Sequence, residues 1–319
     1  MAAAKQARAV NALMPAYPAT PQPFIPSAAE MNNAPIFHIA FYRFVAIAAP
    51  EALAANLRLL TSDLLGSILV ASEGINGVLA GSAAALERFA LAVVSADVAD
   101  GAFAGMAFKR SACMTPPFAR MKVHVKHEIV ASGETGAASA PGPATSTQSD
   151  APTPLPATMR AGSVVSPQQW RELLDDDTVV VLDNRNSFEY RLGRFRSAVD
   201  PQVTNFRDFS AYMAANAPAW QAAGKRVAMY CTGGIRCEKT SASMQDFGID
   251  VVELEGGILN YFEQMPDAQQ DWQGECFVFD NRIALDTRLQ ETATTAEDVY
   301  EAPEDAWRLA RARRLDAAK

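Results

Sequence analysis

The hydrophobic pattern is regular in two parts of the chain and absent between them. In the first part, apolar and β-branched runs predict strands at residues 36–47, 67–71, 75–80, 107–113 and 121–130. One helix is predicted at 50–65, where leucines recur at helical spacing, and a second at 82–94, where Ser82 is a suitable N-cap. The order is that of a ferredoxin-like βαββαβ sandwich closed by antiparallel pairing, with a boundary near residue 131.

The second regular part follows a segment, 132–158, that is rich in Ala, Gly, Pro, Ser and Thr and predicts a flexible linker. Strands are then predicted at 178–182, 226–230 and 251–254, and helices at 166–174, 206–219, 237–247 and 258–265. This alternation predicts a parallel sheet covered by helices on both faces. Such sheets bind ligands at the carboxyl ends of their strands, which is where Asp183, Arg185 and Cys231 fall.

The composition is that of a globular protein. With 319 residues, 49% of them hydrophobic and 20% charged, the chain is long enough for two domains. Four cysteines without regular pairing do not predict a disulfide framework and fit a reducing cytoplasm. No apolar run is long enough to span a bilayer, so we expect a cytoplasmic protein without membrane association. The proline-rich first thirty residues predict a disordered arm.

The net charge of −8 argues against nonspecific nucleic-acid binding over the whole surface, but it leaves room for a local basic face. Alternation along the last predicted strand of the first part places Lys122, His124 and Lys126 on one side, with Arg120 next to them. Two interpretations stay open. The run is either a solvated sheet face or a surface that contacts RNA phosphates while Phe118 stacks on a base.

The strongest chemical signal is the segment from Cys231 to Arg236. A predicted strand delivers the cysteine into a loop with two glycines, and a predicted helix follows from Cys237. The loop N–H groups and the helix N-terminus would face the sulfur and favour its thiolate, and Arg236 adds a fixed cation. The residues that form this anion cup are Thr232, Gly233, Gly234 and Ile235. At six residues, the loop is one shorter than in phosphotyrosine phosphatases and suits a sulfur atom or small anion.

This loop resembles that of rhodaneses, sulfurtransferase domains whose loop cysteine carries a persulfide. The alternative is a buried core thiol beside a tight turn, but the order strand, cysteine, two glycines, arginine and helix favours a functional loop. Cys237 is either a resolving thiol for Cys231 or a small buried residue. Asp183 and Arg185 are candidate supports, with Arg185 and Arg236 holding an anionic intermediate or a phosphate.

A metal site is not predicted. The three histidines lie far from Cys231 in sequence, and no Cys/His quartet has ligand spacing. Nucleotide-binding signatures are also missing, since the chain has neither a P-loop nor a strand-linked GxGxxG.

A set of motifs in order resembles the oxygen-dependent tRNA wobble-uridine hydroxylases. The motifs are residues 71–77 (ASEGING), 118–123 (FARMKV) with Lys126 and 128–130 (EIV), 183–186 (DNRN) with Glu189-Tyr190, 231–239 (CTGGIRCEK) and 254–258 (LEGGI). The match covers about 36–286. It departs at Asn184, where a threonine is expected, in the longer linker, and in the lack of a cysteine-rich tail after Cys276.

The resemblance implies a ferredoxin-like α+β domain followed by a rhodanese-like α/β domain. We therefore expect a disordered arm (1–33), the ferredoxin-like domain (34–131), a flexible linker (132–160), the rhodanese domain (161–270) and a C-terminal extension (271–319). It also implies formation of 5-hydroxyuridine at the anticodon wobble position, uridine 34, with molecular oxygen as co-substrate. No cofactor is identified, and no electron donor is indicated.

In this interpretation Cys231 is the catalytic, persulfide-type cysteine and Arg236 its partner, while Arg120, Lys122 and Lys126 position the tRNA. The residues by themselves supply only an activated thiol in an anion cup. Two alternatives follow from that: a rhodanese-type sulfurtransferase that acts on small thiols, and a non-catalytic tRNA-binding protein.

Overall fold

The first half of the described chain is a five-stranded sheet with two helices packed on it. The computed structural model describes residues 36–114, 116–131, 163–246 and 248–317. The predicted arm (1–33) and linker (132–160) lie outside the described residues. The elements are β1 (Ile36–Phe44), α1 (Pro50–Leu60), β2 (Leu65–Ala71), β3 (Gly74–Gly81), α2 (Ala83–Val93), β4 (Lys109–Cys113) and β5 (Met121–Val125).

The strand order in this sheet is β4-β1-β3-β2-β5. The pairs β1–β3, β1–β4 and β2–β3 are antiparallel, which confirms the ferredoxin-like arrangement. The fifth strand, β5, lies outside the four-stranded βαββαβ order. After β4 at one edge, the chain crosses to the opposite edge and β5 runs parallel to β2.

Both helices of this part were predicted from leucine spacing and capping. The Ser82 side chain accepts a hydrogen bond from the Ala85 N–H at 3.2 Å, so Ser82 is the N-cap. The predicted strand at 121–130 is shorter than expected, because side chains bind the backbone of Ile129: its N–H donates to Glu73 Oε1 (2.7 Å) and its carbonyl accepts from Asn76 Nδ2 (3.0 Å). The Lys126 N–H still donates to the Val70 carbonyl at 2.8 Å, and the residues after it leave the ladder.

The second half is built on a four-stranded parallel sheet with the order β6-β10-β9-β7. Its elements are β6 (Ser163–Val165), α3 (Pro167–Leu173), β7 (Val179–Asp183), α4 (Ser187–Leu192), β8 (Gly193–Phe195), α5 (Phe209–Ala222), β9 (Arg226–Tyr230), α6 (Ile235–Asp246), β10 (Val251–Leu254) and α7 (Gly257–Gln264). Successive residues of β9 join different cores: Ala228 and Tyr230 lie in one, Val227 and Met229 in another. The sheet is therefore covered on both faces, as predicted.

The C-terminal residues pack onto this second sheet. They form β11 (Trp272–Gly274), β12 (Cys276–Phe277), β13 (Ala284–Leu285), α8 (Ala296–Val299) and α9 (Ala306–Asp316). Strand β11 pairs with β8, and β12 with β13 as a short hairpin. Across the described residues, none of the helices combines the length and apolar character needed to cross a membrane.

Candidate active site

Cys231 follows the last residue of β9 and its side chain is fully buried. The Gly234 N–H donates to Cys231 Sγ at 3.1 Å. On the outer side, the N–H groups of Ile258 and Leu259 at the start of α7 donate to the carbonyls of Cys231 (3.0 Å) and Thr232 (3.2 Å). The loop carbonyls therefore point to α7, which leaves N–H groups to face the sulfur.

Gly257 makes this close contact between the loop and α7 possible. It has φ +70°, and a Cβ at this position would lie 2.4 Å from the Cys231 carbonyl oxygen and 2.8 Å from that of Thr232. Both the backbone conformation and the lack of space exclude other residues here. Gly234 has a similar requirement, with φ +100° and the Tyr42 hydroxyl oxygen 3.1 Å from a Cβ position.

Helix α6 begins at Ile235, two residues before the predicted start. The helix starts earlier because the loop turns into helix immediately after Gly234. The first helical turn itself therefore encloses the sulfur. Burial alone would raise the pKa of the Cys231 thiol. A hydrogen bond from the Cys237 thiol, the Arg236 cation and the N–H groups of Cys237 and Arg236 outweigh burial and hold this pKa well below its usual range.

Cys237 is also buried, and the pKa of its thiol is raised well above the usual range by burial and by the hydrogen bond and charge of Cys231. It is therefore the protonated member of the pair and donates to the Cys231 thiolate. Asn184, the position where a threonine was expected, donates through Nδ2 to Thr240 Oγ1 (2.8 Å) and lies 3.8 Å from Cys237 Sγ. This side chain thus contacts the second thiol.

Arg236 is held by Glu189, a residue of the sequence motifs to which no role in the site was assigned. Its Nη1 and Nη2 donate to the two carboxylate oxygens at 2.7 and 2.8 Å, and Nη2 also lies 3.2 Å from Thr232 Oγ1. Glu189 in turn accepts from the N–H and Nδ2 of Asn186 at the start of α4. The arginine is a fixed, charge-balanced group beside the sulfur.

Arg185 occupies a different environment from the one expected. It is fully buried and donates to both oxygens of Asp183 at 2.8 and 2.6 Å and to the Gly193 carbonyl at 2.6 Å. Its guanidinium carbon lies 5.5 and 5.4 Å from the ring centroids of Tyr230 and Trp272. These contacts do not favour the expected role of Arg185 in holding an anionic intermediate. Asp183 and Arg185 instead form a buried ion pair at the ends of β7 and β9, where Asp183 also accepts a hydrogen bond from the Tyr230 hydroxyl.

Residues of the first sheet reach the Cys231 loop. Lys109 on β4 donates through Nζ to the carbonyls of Gly233 and Gly256, and burial lowers the pKa of its amine to about 8 although the negative charge of Cys231 opposes the shift. Tyr42 on β1 has its pKa raised by burial and by the charges of Glu238 and Cys231. Both residues were missed as site residues, because only the tertiary fold brings β1 and β4 to the loop.

One of the predicted RNA-binding residues, Lys122, shares a sheet face with Lys109. Across the five strands, the residues paired directly opposite one another are, in order, Lys109, Ala40, Val78, Ser67 and Lys122. Residues directly opposite each other point to one face, so Lys122 lies on the same face as Lys109, about 19 Å across the sheet. Arg120 and Lys126 are exposed at the two ends of β5. Their role in binding RNA stays a prediction.

Within the described ranges, no group of three His, Cys, Asp or Glu side chains is arranged to hold a metal ion.

Comparison with known proteins identifies both halves of the chain. Residues 36–129 match the family described as UPF0176 acylphosphatase like domain, and residues 166–264 match the rhodanese-like domain. Several relatives are each named tRNA uridine(34) hydroxylase. The protein of Deinococcus radiodurans is 40% identical over 255 residues, which cover 79% of this chain and 76% of the relative.

Two further relatives carry the same name. The protein of Synechococcus elongatus is 44% identical over 79% of this chain and 86% of its own length, and that of Brucella ovis is 38% identical over 82% and 79%. With this identity across both domains, the chain belongs to the tRNA uridine(34) hydroxylase family.

Proposed function

We propose that this protein hydroxylates uridine 34 of tRNA at C5, with Cys231 as the catalytic cysteine. One observation carries the proposal: Cys231 Sγ lies in a loop that stabilises its thiolate, in a chain whose relatives are named for this reaction. The function expected from the sequence and the family of the relatives agree. Arg236 keeps a positive charge beside the sulfur, and Gly234 supplies a hydrogen bond to it.

The oxygen atom is proposed to come from molecular oxygen. Replacing C–H by C–OH places one oxygen atom in the nucleoside, and reduction of the other to water consumes two electrons and two protons. An external reductant must therefore supply two electrons per turnover. Within the chain, we assign Cys231 to the reacting centre as a thiolate or a persulfide, and Cys237 to the hydrogen bond that stabilises its charge.

The proposed substrate is the anticodon loop of tRNA, which presents unpaired bases that can be turned outward. The fold supports this choice because Lys109, which contacts the Cys231 loop, shares a face of the first sheet with Lys122 on β5. Arg120, Lys122 and Lys126 are proposed to contact phosphates around the loop.

The test is nucleoside mass spectrometry of tRNA from a deletion strain complemented with wild-type protein, Cys231→Ala or Cys237→Ala. Wild type should restore 5-hydroxyuridine and Cys231→Ala should not, although it should still bind tRNA. Cys237→Ala should retain reduced activity, since it removes a stabilising hydrogen bond and leaves the nucleophile. Normal 5-hydroxyuridine with Cys231→Ala would refute the role of the cysteine.

Transfer of sulfane sulfur to small thiols is the second candidate, and the loop geometry by itself is compatible with it. The contacts of Lys109 with the loop favour the tRNA reaction, since a plain sulfurtransferase needs no first domain. A deletion strain with unchanged 5-hydroxyuridine, together with rapid thiosulfate turnover by the purified protein, would decide for the sulfurtransferase.

A further inference from the structure

Phe279 is a large apolar side chain held in an exposed position, with 65% of its surface accessible. It lies in the connection between β12 and β13, where the Val278 N–H donates to the Ile283 carbonyl at 2.8 Å. Phe277, two residues earlier, is buried, and its ring plane is nearly perpendicular to that of Phe279 with ring centroids 4.9 Å apart. One aromatic ring of this hairpin therefore anchors it, and the other faces outward.

The hairpin tip is fixed to the first sheet. Arg282 forms a two-point ion pair with Asp280 (2.8 and 2.7 Å), and both side chains are almost completely buried. Arg282 Nη1 also lies 3.5 Å from Ser111 Oγ and from Cys113 Sγ on β4. The exposed ring is thus carried by a segment with little freedom, which lowers the entropy lost when a planar ligand stacks on it.

The ring lies beside the Cys231 loop. The guanidinium carbon of Arg236 is 5.9 Å from the centroid of Phe279, at the distance of a cation–π contact. Arg236 also contacts Thr232, the residue that follows Cys231. Phe279 therefore lies next to Arg236, whose side chain contacts the Cys231 loop at Thr232.

A cationic segment adjoins the same hairpin. The Asn281 N–H donates to the Pro117 carbonyl at 3.0 Å, and its Nδ2 lies 3.3 Å from the Pro116 carbonyl. The exposed Arg120 follows three residues later and opens the basic strand. A stacking surface next to cations suits a nucleotide, whose base and phosphate need both.

The sequence pointed to Phe118 as the stacking ring of this region. That ring is half-buried and lies parallel to His38, with centroids 6.0 Å apart and an interplanar angle of 25°. Phe279 is the more accessible of the two rings, because it presents most of its surface to solvent although Arg236 and Phe277 contact it.

We propose that Phe279 stacks on the uracil base of the target nucleotide as it leaves the anticodon loop, and so directs the base to the Cys231 loop. The inference rests on the proposed function and adds a substrate-binding residue to it. A nucleobase fits better than an apolar protein surface, because protein docking needs a broad apolar patch and Phe279 is one ring next to the charged groups of Arg236 and Asp280.

The test measures binding of an anticodon stem-loop RNA by fluorescence anisotropy, with either uridine or an abasic ribose at position 34. The proteins are wild type, Phe279→Ala, Phe279→Trp and Leu91→Ala, the last a control that removes an exposed apolar side chain from α2. Phe279→Ala should weaken binding of the uridine RNA by about tenfold and change binding of the abasic RNA by less than about twofold. Phe279→Trp and Leu91→Ala should bind both RNAs like wild type.

If Phe279→Ala lost equal affinity for the two RNAs, or lost affinity for neither, the stacking role would be overturned. Alkylation of Cys231 serves as a check on the fold, and it should be unchanged in Phe279→Ala. Failure of the proposed function is a separate result: wild type would then form no 5-hydroxyuridine in cells, while the binding comparison would still decide whether Phe279 contacts the base at position 34.

Discussion

Nζ of Lys239 lies 2.9 and 3.0 Å from the two carboxylate oxygens of Glu73, a residue 166 positions earlier in the chain. The same Nζ contacts Glu128 at 2.7 Å and the Val130 carbonyl at 3.0 Å. Because Lys239 lies on α6, which encloses Cys231, this cluster attaches the catalytic helix to the first sheet. The attachment is charged and almost fully buried.

Replacing Lys239 by Ala should therefore destabilise the whole described unit. Removal of the ammonium leaves two largely buried carboxylates facing each other, and removing one partner from such a cluster costs about 3–5 kcal/mol. Urea unfolding followed by tryptophan fluorescence measures this change in the free energy of unfolding.

The matched control is Arg88→Ala, which breaks an exposed ion pair with Asp63 and should cost less than about 1 kcal/mol. If the two variants lose similar stability, the cluster at Lys239 is no stronger than a surface ion pair, and the attachment of α6 depends on other contacts.

The lowered pKa of Cys231 predicts an unusual alkylation profile. Under limiting iodoacetamide at pH 7, Cys231 should be labelled before the other three cysteines, because only its thiolate is favoured. Burial raises the pKa of Cys113 to about 11 and that of Cys276 to about 12, and it also raises that of Cys237.

Peptide mass spectrometry at several pH values provides the measurement. Between pH 8 and pH 6 the labelling rate of Cys231 should fall less than that of an ordinary thiol, which loses about tenfold per pH unit below its pKa. A Cys231 rate that falls in parallel with the others would show an ordinary thiol.

The amine of Lys109 predicts a specific dependence of stability on pH. Its pKa is lowered in the folded protein to about 8 from an ordinary value of 10.5. Between these values the unfolded chain binds the extra proton, so this residue makes the fold more stable as the pH rises from 8 to 10.5. Below pH 8 the amine is charged in both states, and burial of the ammonium destabilises the folded protein by a constant amount.

The measurement is the difference in the free energy of unfolding between wild type and Lys109→Met, taken at pH 7, 8, 9 and 10. The free energy of unfolding of wild type should rise relative to that of the variant with each step above pH 8. A difference that is constant with pH would mean that the Lys109 pKa is ordinary. Lys109→Met should also lower hydroxylation, since the carbonyls of Gly233 and Gly256 lose their shared donor.

The basic strand predicts a change in the salt dependence of tRNA binding. Removing both charges in Lys122→Ala/Lys126→Ala should reduce the slope of log K against log salt by roughly two units, about one for each phosphate that is no longer neutralised. Filter binding between 50 and 200 mM salt measures the slope, because affinity falls by about 10³ over this range for a protein that neutralises several phosphates.

Arg88→Ala/Lys225→Ala removes the same net charge from residues outside β5 and serves as the control. The control should keep the wild-type slope. Identical slopes for wild type and the β5 variant would assign Lys122 and Lys126 to a solvated sheet face.

Local pattern predicted most elements of this fold. The strands 226–230 and 251–254 and the cap at Ser82 agree with the structure, since apolar periodicity and capping are properties of neighbouring residues. The direction of β5 was not predicted, because nothing within a strand states which edge of a sheet it will join. The start of α6 was misplaced by two residues, as a glycine loop can end in a helical turn without a polar cap.

The candidate site was predictable only where it is contiguous. Cys231, Gly234 and Arg236 lie in one loop and were found from their spacing. The partners that determine their behaviour are distant in sequence: Glu189 pairs with Arg236 from α4, and Lys109 reaches the loop from β4. Arg185 is fully buried beside Tyr230 and Trp272, an environment that its local sequence does not reveal, and its expected role in holding an anion stays a prediction.

The anchoring of the hairpin tip has a consequence for synthesis of the protein. Arg282 contacts Ser111, which precedes it by 171 residues, and chains leave the ribosome with the N-terminus first. The first sheet can therefore fold before Arg282 is available to contact Ser111. The Cys231 loop also emerges before Phe279 is positioned beside it. The reactive thiol is made early and its substrate entrance is completed late, so ribosome-bound chains that end before Arg282 should carry an incomplete entrance.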